Sequence, residues 1–338
     1  MRFVLGAPAD SRCYSCRTDV PIGLLTDARF LLHVPELGHP ERPERLTAIL
    51  RALERADLLS RFARVPARLA VRAELERVHT PAYLDSLARR LSSLAPGVRG
   101  TLDPDTYYSA GTWEAALLAS GGVIDLARKV LRGELPSGLA LVRPPGHHAT
   151  SDRAMGFCIL NHVAAAVADA RAEGARVAIF DWDVHHGNGT EAIFDEDPDV
   201  FYASMHEWPQ YPGTGARSDR GRGRGIGATL NVPLPAGTGD ADYLRAFRAE
   251  VEPAIRGFAP DLILISAGFD GHARDPLGGF ELSEEVYGQM TYALGAIQPR
   301  RVAVLEGGYD LEGISTSTVA MVDALAASDV MRETDQVS

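Results

Sequence analysis

The sequence predicts an α/β domain built around a largely parallel β-sheet. Two observations lead to this prediction: short apolar runs recur through the last two thirds of the chain, and segments with helical spacing of their apolar residues separate them. Strands that are apolar at nearly every position are typical of a parallel sheet that helices cover on both faces. No internal repeat and no long linker interrupts the 338 residues, so we expect one continuous domain.

The first third of the chain is predicted to be mainly helical. Its apolar residues recur three and four positions apart, as in RPERLTAILRALERADLL, and this is the spacing of a helix with one buried face. On this ground we predict helices over residues 42–59, 80–94 and 110–131.

The rest of the chain alternates between predicted strands and predicted helices. Each predicted strand is short, mostly apolar at successive positions, and bounded by Gly, Pro or charged residues. The segments between them carry apolar residues at helical spacing. In chain order the strands are 137–142, 176–180, 199–205, 228–234, 261–268 and 301–308, and the helices are 161–174, 241–258 and 282–297.

Composition and charge narrow the classes of function. The chain is 46% hydrophobic and 23% charged, as globular proteins are, and its longest apolar stretches fall short of the roughly 20 residues of a membrane helix. The net charge of −11 argues against a general nucleic-acid binder, which is normally basic. We therefore predict no membrane and no direct nucleic-acid partner. Three cysteines and no signal-like N-terminal stretch favour a cytoplasmic protein, whose oligomeric state stays open.

Two features receive no function from the sequence. Cys13 and Cys16 form a CxxC pair, which could be redox-active or half of a zinc site. No second pair accompanies it, and we interpret it as an inert or disordered pair. The Arg- and Gly-rich segment 217–227 is interpreted as a solvated loop, with a basic clamp for an acidic partner as the alternative.

Four clusters of ionisable residues directly follow predicted strands. They are RPPGHH at 143–148, DWDVHH at 181–186, GFD at 268–270 and EGGYD at 306–310. In a parallel sheet the carboxyl ends of the strands face the same side, and ligands bind at that edge. We therefore expect these distant clusters to converge on one site.

The second and third clusters have the composition of a metal site. Asp183 and His185 are two residues apart, so in an extended segment their side chains point the same way. Asp270 can join them from another strand end. Two carboxylates and one imidazole make a three-ligand zinc site with an open position for water, which is the arrangement of a catalytic site.

Adjacent histidines suit proton transfer at neutral pH. His147 and His148 follow a PPG turn, and the second ring nitrogen of each needs an orienting partner. Asp181 and Asn188 are the candidates, one for each histidine.

Tyr309 is a candidate for stabilising an oxyanion. Gly307 and Gly308 precede it, and glycines let a backbone bend sharply and approach a ligand closely. A tyrosine hydroxyl in that position can donate a hydrogen bond to a developing negative charge. A packing role is the alternative for this tyrosine.

Six motifs, in this order, resemble the histone deacetylase superfamily: RPPGHHA, GFCILNH, DWDVHHGNGT, YPGTG, SAGFDGHARDPLGG and LEGGYD. The superfamily includes bacterial class II-like deacetylases, acetoin-utilisation proteins and acetylpolyamine amidohydrolases, and GHPERPERL at 38–46 resembles the class II-like branch. The resemblance implies the arginase–deacetylase fold, with an eight-stranded parallel sheet. It further implies a catalytic domain over residues 24–330, preceded by an N-terminal extension over residues 1–23.

The resemblance also implies roles for the residues of the four clusters. Asp183, His185 and Asp270 would bind Zn²⁺, or alternatively Fe²⁺. His148, beside Asn188, would be the general base and later the general acid. Its neighbour His147, paired with Asp181, would be an electrostatic stabiliser, and Tyr309 would polarise the substrate carbonyl.

The substrate implied is an acylated lysine in a protein or peptide, or a small acyl-amine. It would occupy a narrow apolar tunnel, with Asp103 or Asp105 at the rim. A monovalent cation, K⁺ or Na⁺, would bind near the metal ligands. The implied substrate-binding residues are Gly156, Phe157, Tyr211, Leu277 and Gly307, and those for the monovalent cation are Asp181, Asp183, His185, Ser204 and Met205.

Two departures from the family pattern bear on specificity. Asn188 stands where some branches have Asp, so we expect a lower pKa for His148 than a carboxylate would produce. Leu277 stands where the polyamine-selective branch has an acidic residue, which favours a neutral or protein-borne acyl-lysine. Three alternatives remain: an acetylpolyamine amidohydrolase, a non-catalytic acyl-lysine binder, and a ureohydrolase with two manganese ions.

Overall fold

The computed structural model describes residues 21–335, and in them the predicted parallel sheet is present. Eight of the described strands form this sheet, and two short strands form a separate antiparallel hairpin, β3–β4. The strands are β1 (Ile22–Leu25), β2 (Phe62–Val65), β3 (Arg99–Thr101), β4 (Tyr107–Ser109), β5 (Ser137–Ala140), β6 (Val177–Asp181), β7 (Val200–Glu207), β8 (Thr229–Leu234), β9 (Leu262–Ala267) and β10 (Arg301–Leu305).

The order of the strands places three of them at the centre of the sheet. The order is β2-β1-β5-β10-β9-β6-β7-β8, and every pairing within it is parallel. All residues of β6, β9 and β10 are buried, so helices cover both faces of the sheet at these strands. The carboxyl ends of β10, β9 and β6 therefore lie side by side.

Five of the described helices form two packed groups. One contains α4 and α5, which contact each other as well as the central strands, and the other contains α1, α9 and α10. The helices are α1 (Glu44–Arg55), α2 (Arg72–Leu75), α3 (Pro81–Leu91), α4 (Thr112–Leu131), α5 (His162–Ala172), α6 (Asn188–Phe194), α7 (Asp240–Ala246), α8 (Glu252–Phe258), α9 (Glu284–Gly295) and α10 (Leu311–Asp335).

The six strands predicted from apolar runs are confirmed, within a few residues at their ends. The prediction missed β1 and β2 because the first third of the chain was interpreted as mainly helical. β1 is only four residues long, and three of the four residues of β2 are partly exposed at the edge of the sheet. Strands this short carry little periodicity of their own.

The helix predicted over 241–258 is interrupted in the structure. α7 and α8 are joined by a π-helical turn, Phe247–Val251, in which both end residues are buried. Pro253 follows this turn and has no N–H to donate, so an unbroken α-helical bonding pattern is impossible there. The wider π-helical turn keeps the side chains of Phe247 and Val251 in the core.

The first strand begins at Ile22, two residues before the predicted start of the catalytic domain. Cys13 and Cys16 lie outside the described residues. None of the described helices combines the length and the apolar composition that crossing a membrane requires.

Candidate active site

The four ionisable clusters lie at one edge of the sheet. β6 ends at Asp181, β9 at Ala267 and β10 at Leu305, and these strands are neighbours. β5, which leads to His147 and His148, lies on the other side of β10. The predicted convergence of the clusters therefore follows from the order of the strands.

Asp183, His185 and Asp270 bring their potential ligand atoms to one point. Nδ1 of His185 lies 3.2 Å from Oδ1 of Asp183 and 3.1 Å from Oδ2 of Asp270. The three ligand atoms lie within 4.8 Å of one another. Both carboxylates are buried, and His185 is partly exposed. The structure therefore brings together the three side chains that the sequence analysis named as candidate metal ligands.

Backbone groups from neighbouring strand ends orient the two carboxylates. Gly307 donates its N–H to Oδ2 of Asp183 at 2.8 Å, and Val184 donates to Oδ1 of Asp270 at 2.9 Å. A Cβ at Gly307 would collide with both carboxylates. Glycine is therefore required at this position because the backbone itself approaches the ligand group.

The charges of this group fit a divalent cation. Burial, and then the carboxylate of Asp183, raise the pKa of Asp270 to about 7. Burial opposes a charge on His185, but Asp183 and Asp270 raise its pKa to about 10. Two buried carboxylates in one compact group need a compensating positive charge, which a bound metal ion would supply. Oxygen and nitrogen ligands of this kind suit Zn²⁺ and Fe²⁺.

His147 lies between two carboxylates. Its Nδ1 donates a hydrogen bond of 3.0 Å to Oδ2 of Asp181, and its Nε2 lies 3.8 Å from Oδ2 of Asp183. Burial opposes a charge here, but Asp181 and Asp183 raise the pKa of His147 well above its ordinary value. This histidine is therefore suited to remain an imidazolium.

His148 has the opposite electrostatic environment. Its Nδ1 donates a hydrogen bond of 2.8 Å to Oδ1 of Asn188, which carries no charge. Burial, followed by the neighbouring His147 and His185, lowers the pKa of His148 well below its ordinary value. Both orienting contacts predicted from the sequence are present. The pKa values of the two adjacent histidines are shifted in opposite directions, that of His147 upward by nearby carboxylates and that of His148 downward by burial and nearby histidines.

Glu306 binds the backbone at Gly146 and His147, and it was not among the site residues predicted from the sequence. Its Oε2 accepts hydrogen bonds from the N–H groups of Gly146 at 2.6 Å and His147 at 3.1 Å. The carboxyl is fully buried, and burial raises its pKa to about 7. Its place at the start of the EGGYD motif was the one available signal.

Tyr309 is positioned by two residues that the sequence analysis did not single out. Oδ2 of Asp275 accepts the N–H of Tyr309 at 2.6 Å, and the guanidinium of Arg45 lies 5.0 Å from the centre of its ring. The buried Arg45 also donates to the carbonyl of Gly308 at 2.6 Å. Burial, and then the carboxylate of Asp270, raise the pKa of Tyr309 well above its ordinary value, so its hydroxyl keeps its proton.

Aromatic rings approach the site from two sides. The ring of Phe157 lies 5.8 Å from that of Tyr309, and the ring of Tyr211 lies 5.2 Å from that of His148. Leu277 is partly exposed, and its N–H donates to Oδ1 of Asp275 at 3.0 Å. The carboxylate of Asp275 therefore connects the predicted lip residue to the loop that carries Tyr309.

The residues predicted for the monovalent cation lie on two adjacent strands, β6 and β7, and in the segment that follows β6. Asp181, at the end of β6, pairs in register with Ser204 of β7, and Met205 follows. The hydroxyl of Ser204 contacts Nδ1 of His206 at 2.9 Å. Asp181 and Ser204 are therefore side by side at this edge of the sheet, and Asp183 and His185 follow Asp181 directly along the chain.

His147, Cys158 and Glu306 form a second group whose potential ligand atoms lie within 4.8 Å of one another. The thiol of Cys158 donates to the carbonyl of Gly156 at 3.3 Å, and burial raises the pKa of this thiol well above its ordinary value. Thiolates rather than thiols bind metals. The group around Asp183 is therefore the better cation site.

Comparison with known proteins identifies the family. A sequence profile of the histone deacetylase domain matches residues 39–325. The chain belongs to the histone deacetylase family. All the predicted site residues lie within the matched range, so the family assignment covers the whole candidate site.

Two of the curated relatives are named as deacetylases. The chain is 41% identical to histone deacetylase 15 of Arabidopsis thaliana over 318 residues, which cover 91% of this chain and 57% of the plant protein. It is 41% identical to polyamine deacetylase HDAC10 of Homo sapiens over 315 residues, covering 89% of this chain and 46% of the human protein. The chain thus spans about half the length of these curated relatives.

A solved structure shows the same fold. The crystal structure of the HDA15 HD domain superposes with a TM-score of 0.87 at 40% identity, covering 91% of this chain and 89% of that chain. Together with the eight-stranded parallel sheet, this similarity confirms the predicted arginase–deacetylase fold.

Proposed function

We propose that this protein is a zinc-dependent deacylase that hydrolyses the side-chain amide of acyl-lysine in a peptide or protein. The observation that carries the proposal is the convergence of Asp183, His185 and Asp270 in one compact group. His148 and Tyr309 border that group, one as a neutral imidazole and the other as a protonated phenol. Amide hydrolysis needs a base and an oxyanion donor of this kind.

The two histidines have different roles: His148 transfers protons, and His147 stabilises negative charge. His148 uses Nδ1 to bond Asn188, so its Nε2 is free to take a proton from the attacking water and to return it to the leaving amine. His147, held by Asp181, keeps a positive charge that offsets the negative charge developing nearby. The opposite shifts of their pKa values are what the two roles require.

Tyr309 donates its hydroxyl to the carbonyl oxygen of the substrate. Its backbone is held by Asp275 and its ring by Arg45, so the donor is in place before the reaction. Removal of one such donor typically costs about 3 kcal/mol of transition-state stabilisation. A divalent cation bound by Asp183, His185 and Asp270 supplies Lewis acidity and lowers the pKa of water.

We also propose K⁺ or Na⁺ as a structural ion, held mainly through backbone carbonyls at Asp181, Asp183, His185, Ser204 and Met205. Its support is the register of β6 and β7, which places Asp181 beside Ser204. A dependence of thermal stability on K⁺, with Na⁺ and choline chloride as controls at equal ionic strength, would test this ion.

Acyl-lysine is favoured over acylpolyamine as the substrate class. Phe157 and Tyr211 present apolar rings, and Leu277 offers no carboxylate to a second ammonium group of a polyamine. The relative named as a polyamine deacetylase makes acylpolyamine the second candidate. Peptides with acetylated and longer acylated lysines, together with acetylspermidine, would be assayed against one zinc-loaded sample.

The outcome of this assay separates the candidates. Hydrolysis of acyl-lysine peptides that exceeds hydrolysis of acetylspermidine supports the proposal, and the reverse order supports a polyamine enzyme. Binding of acyl-lysine peptides without turnover of any substrate would indicate a non-catalytic binder. Metal analysis distinguishes one zinc or iron ion per chain from the two manganese ions of a ureohydrolase.

A further inference from the structure

Residues Met155–Cys158 form a tight turn in the wall of the candidate site. Met155 donates to the carbonyl of Cys158 at 3.1 Å, and Cys158 donates to that of Met155 at 2.9 Å. The two central residues, Gly156 and Phe157, have φ values of 55° and 67°. Positive φ at both central positions is typical of a type I′ turn, for which Asn-Gly is the favoured sequence.

Phe157 is an unfavourable residue for this conformation. A left-handed backbone is unfavourable for a residue with a Cβ, because the Cβ comes too close to the following carbonyl oxygen. The ring of Phe157 lies 5.8 Å from that of Tyr309 and 4.6 Å from that of His39, and a Cβ at Gly156 would collide with the ring of His148. The turn is therefore strained at the point where it borders His148 and Tyr309.

The outward N–H groups of the turn bond to the loop between β3 and β4. Gly156 donates to Oδ1 of Asp105 at 3.1 Å, and Phe157 donates to Oγ1 of Thr106 at 3.2 Å. Thr106 is fully buried, and its hydroxyl donates to Oδ1 of Asp105 at 3.0 Å. Two side chains of one loop thus hold both strained residues.

We propose that Asp105 and Thr106 are positioning residues that hold the turn Met155–Cys158 against His148 and Tyr309. The proposal rests on the deacylase function proposed above. It assigns to Asp105 a role toward the protein's own backbone, in contrast to the substrate-backbone role that a rim carboxylate would have. Loss of either contact lets Phe157 leave the left-handed region and move away from the reacting groups.

The test compares variants of the two residues with a matched control. Asp105→Ala and Thr106→Val remove the oxygen atoms that accept the N–H groups of the turn. Two conservative variants keep an acceptor: Asp105→Asn retains an oxygen without the charge, and Thr106→Ser retains the hydroxyl. Thr101→Val is the control, because Thr101 is an exposed threonine on the same hairpin with no contact to the turn in the described structure.

The first measurement is kcat/KM with two substrates. One is an acetyl-lysine peptide, and the other is N-butylacetamide, which has the acyl group and side chain of acetyl-lysine but no backbone amides. We expect Asp105→Ala and Thr106→Val to lower kcat/KM about tenfold or more for both substrates. Thr101→Val should stay near wild type, and Asp105→Asn and Thr106→Ser, which keep an acceptor for the turn, should recover most of the activity lost in Asp105→Ala and Thr106→Val. A loss confined to the peptide would overturn the proposal.

The second measurement is binding, which needs no turnover. Octanohydroxamic acid combines a metal-chelating group with an apolar chain long enough to contact the turn at Phe157. Acetohydroxamic acid has the chelating group but no such chain. Asp105→Ala and Thr106→Val should weaken the longer compound about tenfold and leave the shorter one unchanged. Equal affinities of these variants and wild type for the longer compound would overturn the proposal.

The two measurements separate failure of the inference from failure of the proposed function. A wild type that binds octanohydroxamic acid but hydrolyses neither substrate would remove the proposed function, and the affinities of the variants for that compound would still decide whether the loop holds the turn. If Asp105→Ala does not fold, Thr106→Val decides the result, because it keeps the shape of the side chain and removes its hydroxyl.

Discussion

Nδ1 of His148 donates a hydrogen bond of 2.8 Å to the side-chain oxygen of Asn188. An amide orients the imidazole as well as a carboxylate would, but it adds no charge that favours the imidazolium. Burial, followed by the neighbouring His147 and His185, keeps the pKa of His148 low, and the contact with Asn188 offsets only part of that shift. The neighbouring His147 has a carboxylate, Asp181, in the equivalent position and a raised pKa.

We expect Asn188→Asp to shift the pH dependence of the reaction. The new carboxylate should raise the pKa of His148 by about one unit or more, because an opposite charge within hydrogen-bond distance stabilises the imidazolium. Since the neutral imidazole of His148 is the proposed base, the acidic limb of the kcat/KM profile should move to higher pH. Asn188→Ala removes the contact without adding charge, and an equal upward shift in that control would contradict the explanation.

Tyr309→Phe should lower turnover with little effect on ligand affinity. The hydrogen bond from the hydroxyl strengthens as negative charge develops, so its loss should reduce kcat by roughly tenfold or more. Kinetics with an acyl-lysine peptide measure kcat, and calorimetric titration with acetohydroxamic acid measures affinity. Turnover equal to wild type would remove Tyr309 from the mechanism.

His148→Ala should be more damaging than His147→Ala. The first variant removes the proposed base, whereas the second removes a charge that stabilises the transition state. The two kcat/KM values, measured on samples with equal metal content, provide the comparison. The opposite order would require the two roles to be exchanged.

Asp275→Ala should reduce both stability and activity. The carboxylate of Asp275 accepts N–H groups from Leu277, Tyr309 and Asp310, and these groups lose their acceptor in the variant. The expected cost in the free energy of unfolding is about 1–3 kcal/mol. Urea denaturation measures it, with Asp323→Ala as the control because the Asp323 side chain is 59% exposed. Equal costs for both variants would contradict the role of Asp275.

Removal of the metal should abolish activity and lower the melting temperature. Chelation would leave the buried carboxylates of Asp183 and Asp270 without the counter-charge of the ion. A metal ion that binds only the folded protein stabilises the folded state, so its removal lowers the melting temperature. Added Zn²⁺ should restore both properties in wild type but not in Asp183→Ala. A melting temperature of wild type that does not respond to Zn²⁺ would argue against a resident ion.

Much of the fold could be predicted because its central strands have a local signature. β6, β9 and β10 are buried at every residue, so their apolar runs stand out from the surrounding sequence. β1 and β2 were missed because each has four residues, and their place in the sheet depends on pairing with strands far along the chain. Pairing partners of this kind leave no mark on the local sequence.

The sequence by itself determined which groups are candidates for the proposed chemistry. Asp183, His185 and Asp270 were recognised from residue type, spacing and position after a strand, and the family resemblance added roles for His148 and Tyr309. The tertiary structure alone decided how these groups are held. Gly307 bonds to Asp183 across 124 residues, and Asp105 reaches Gly156 across 51. Such contacts depend on the packing of separate elements, because a hydrogen bond is set by distance in space and not by separation along the chain.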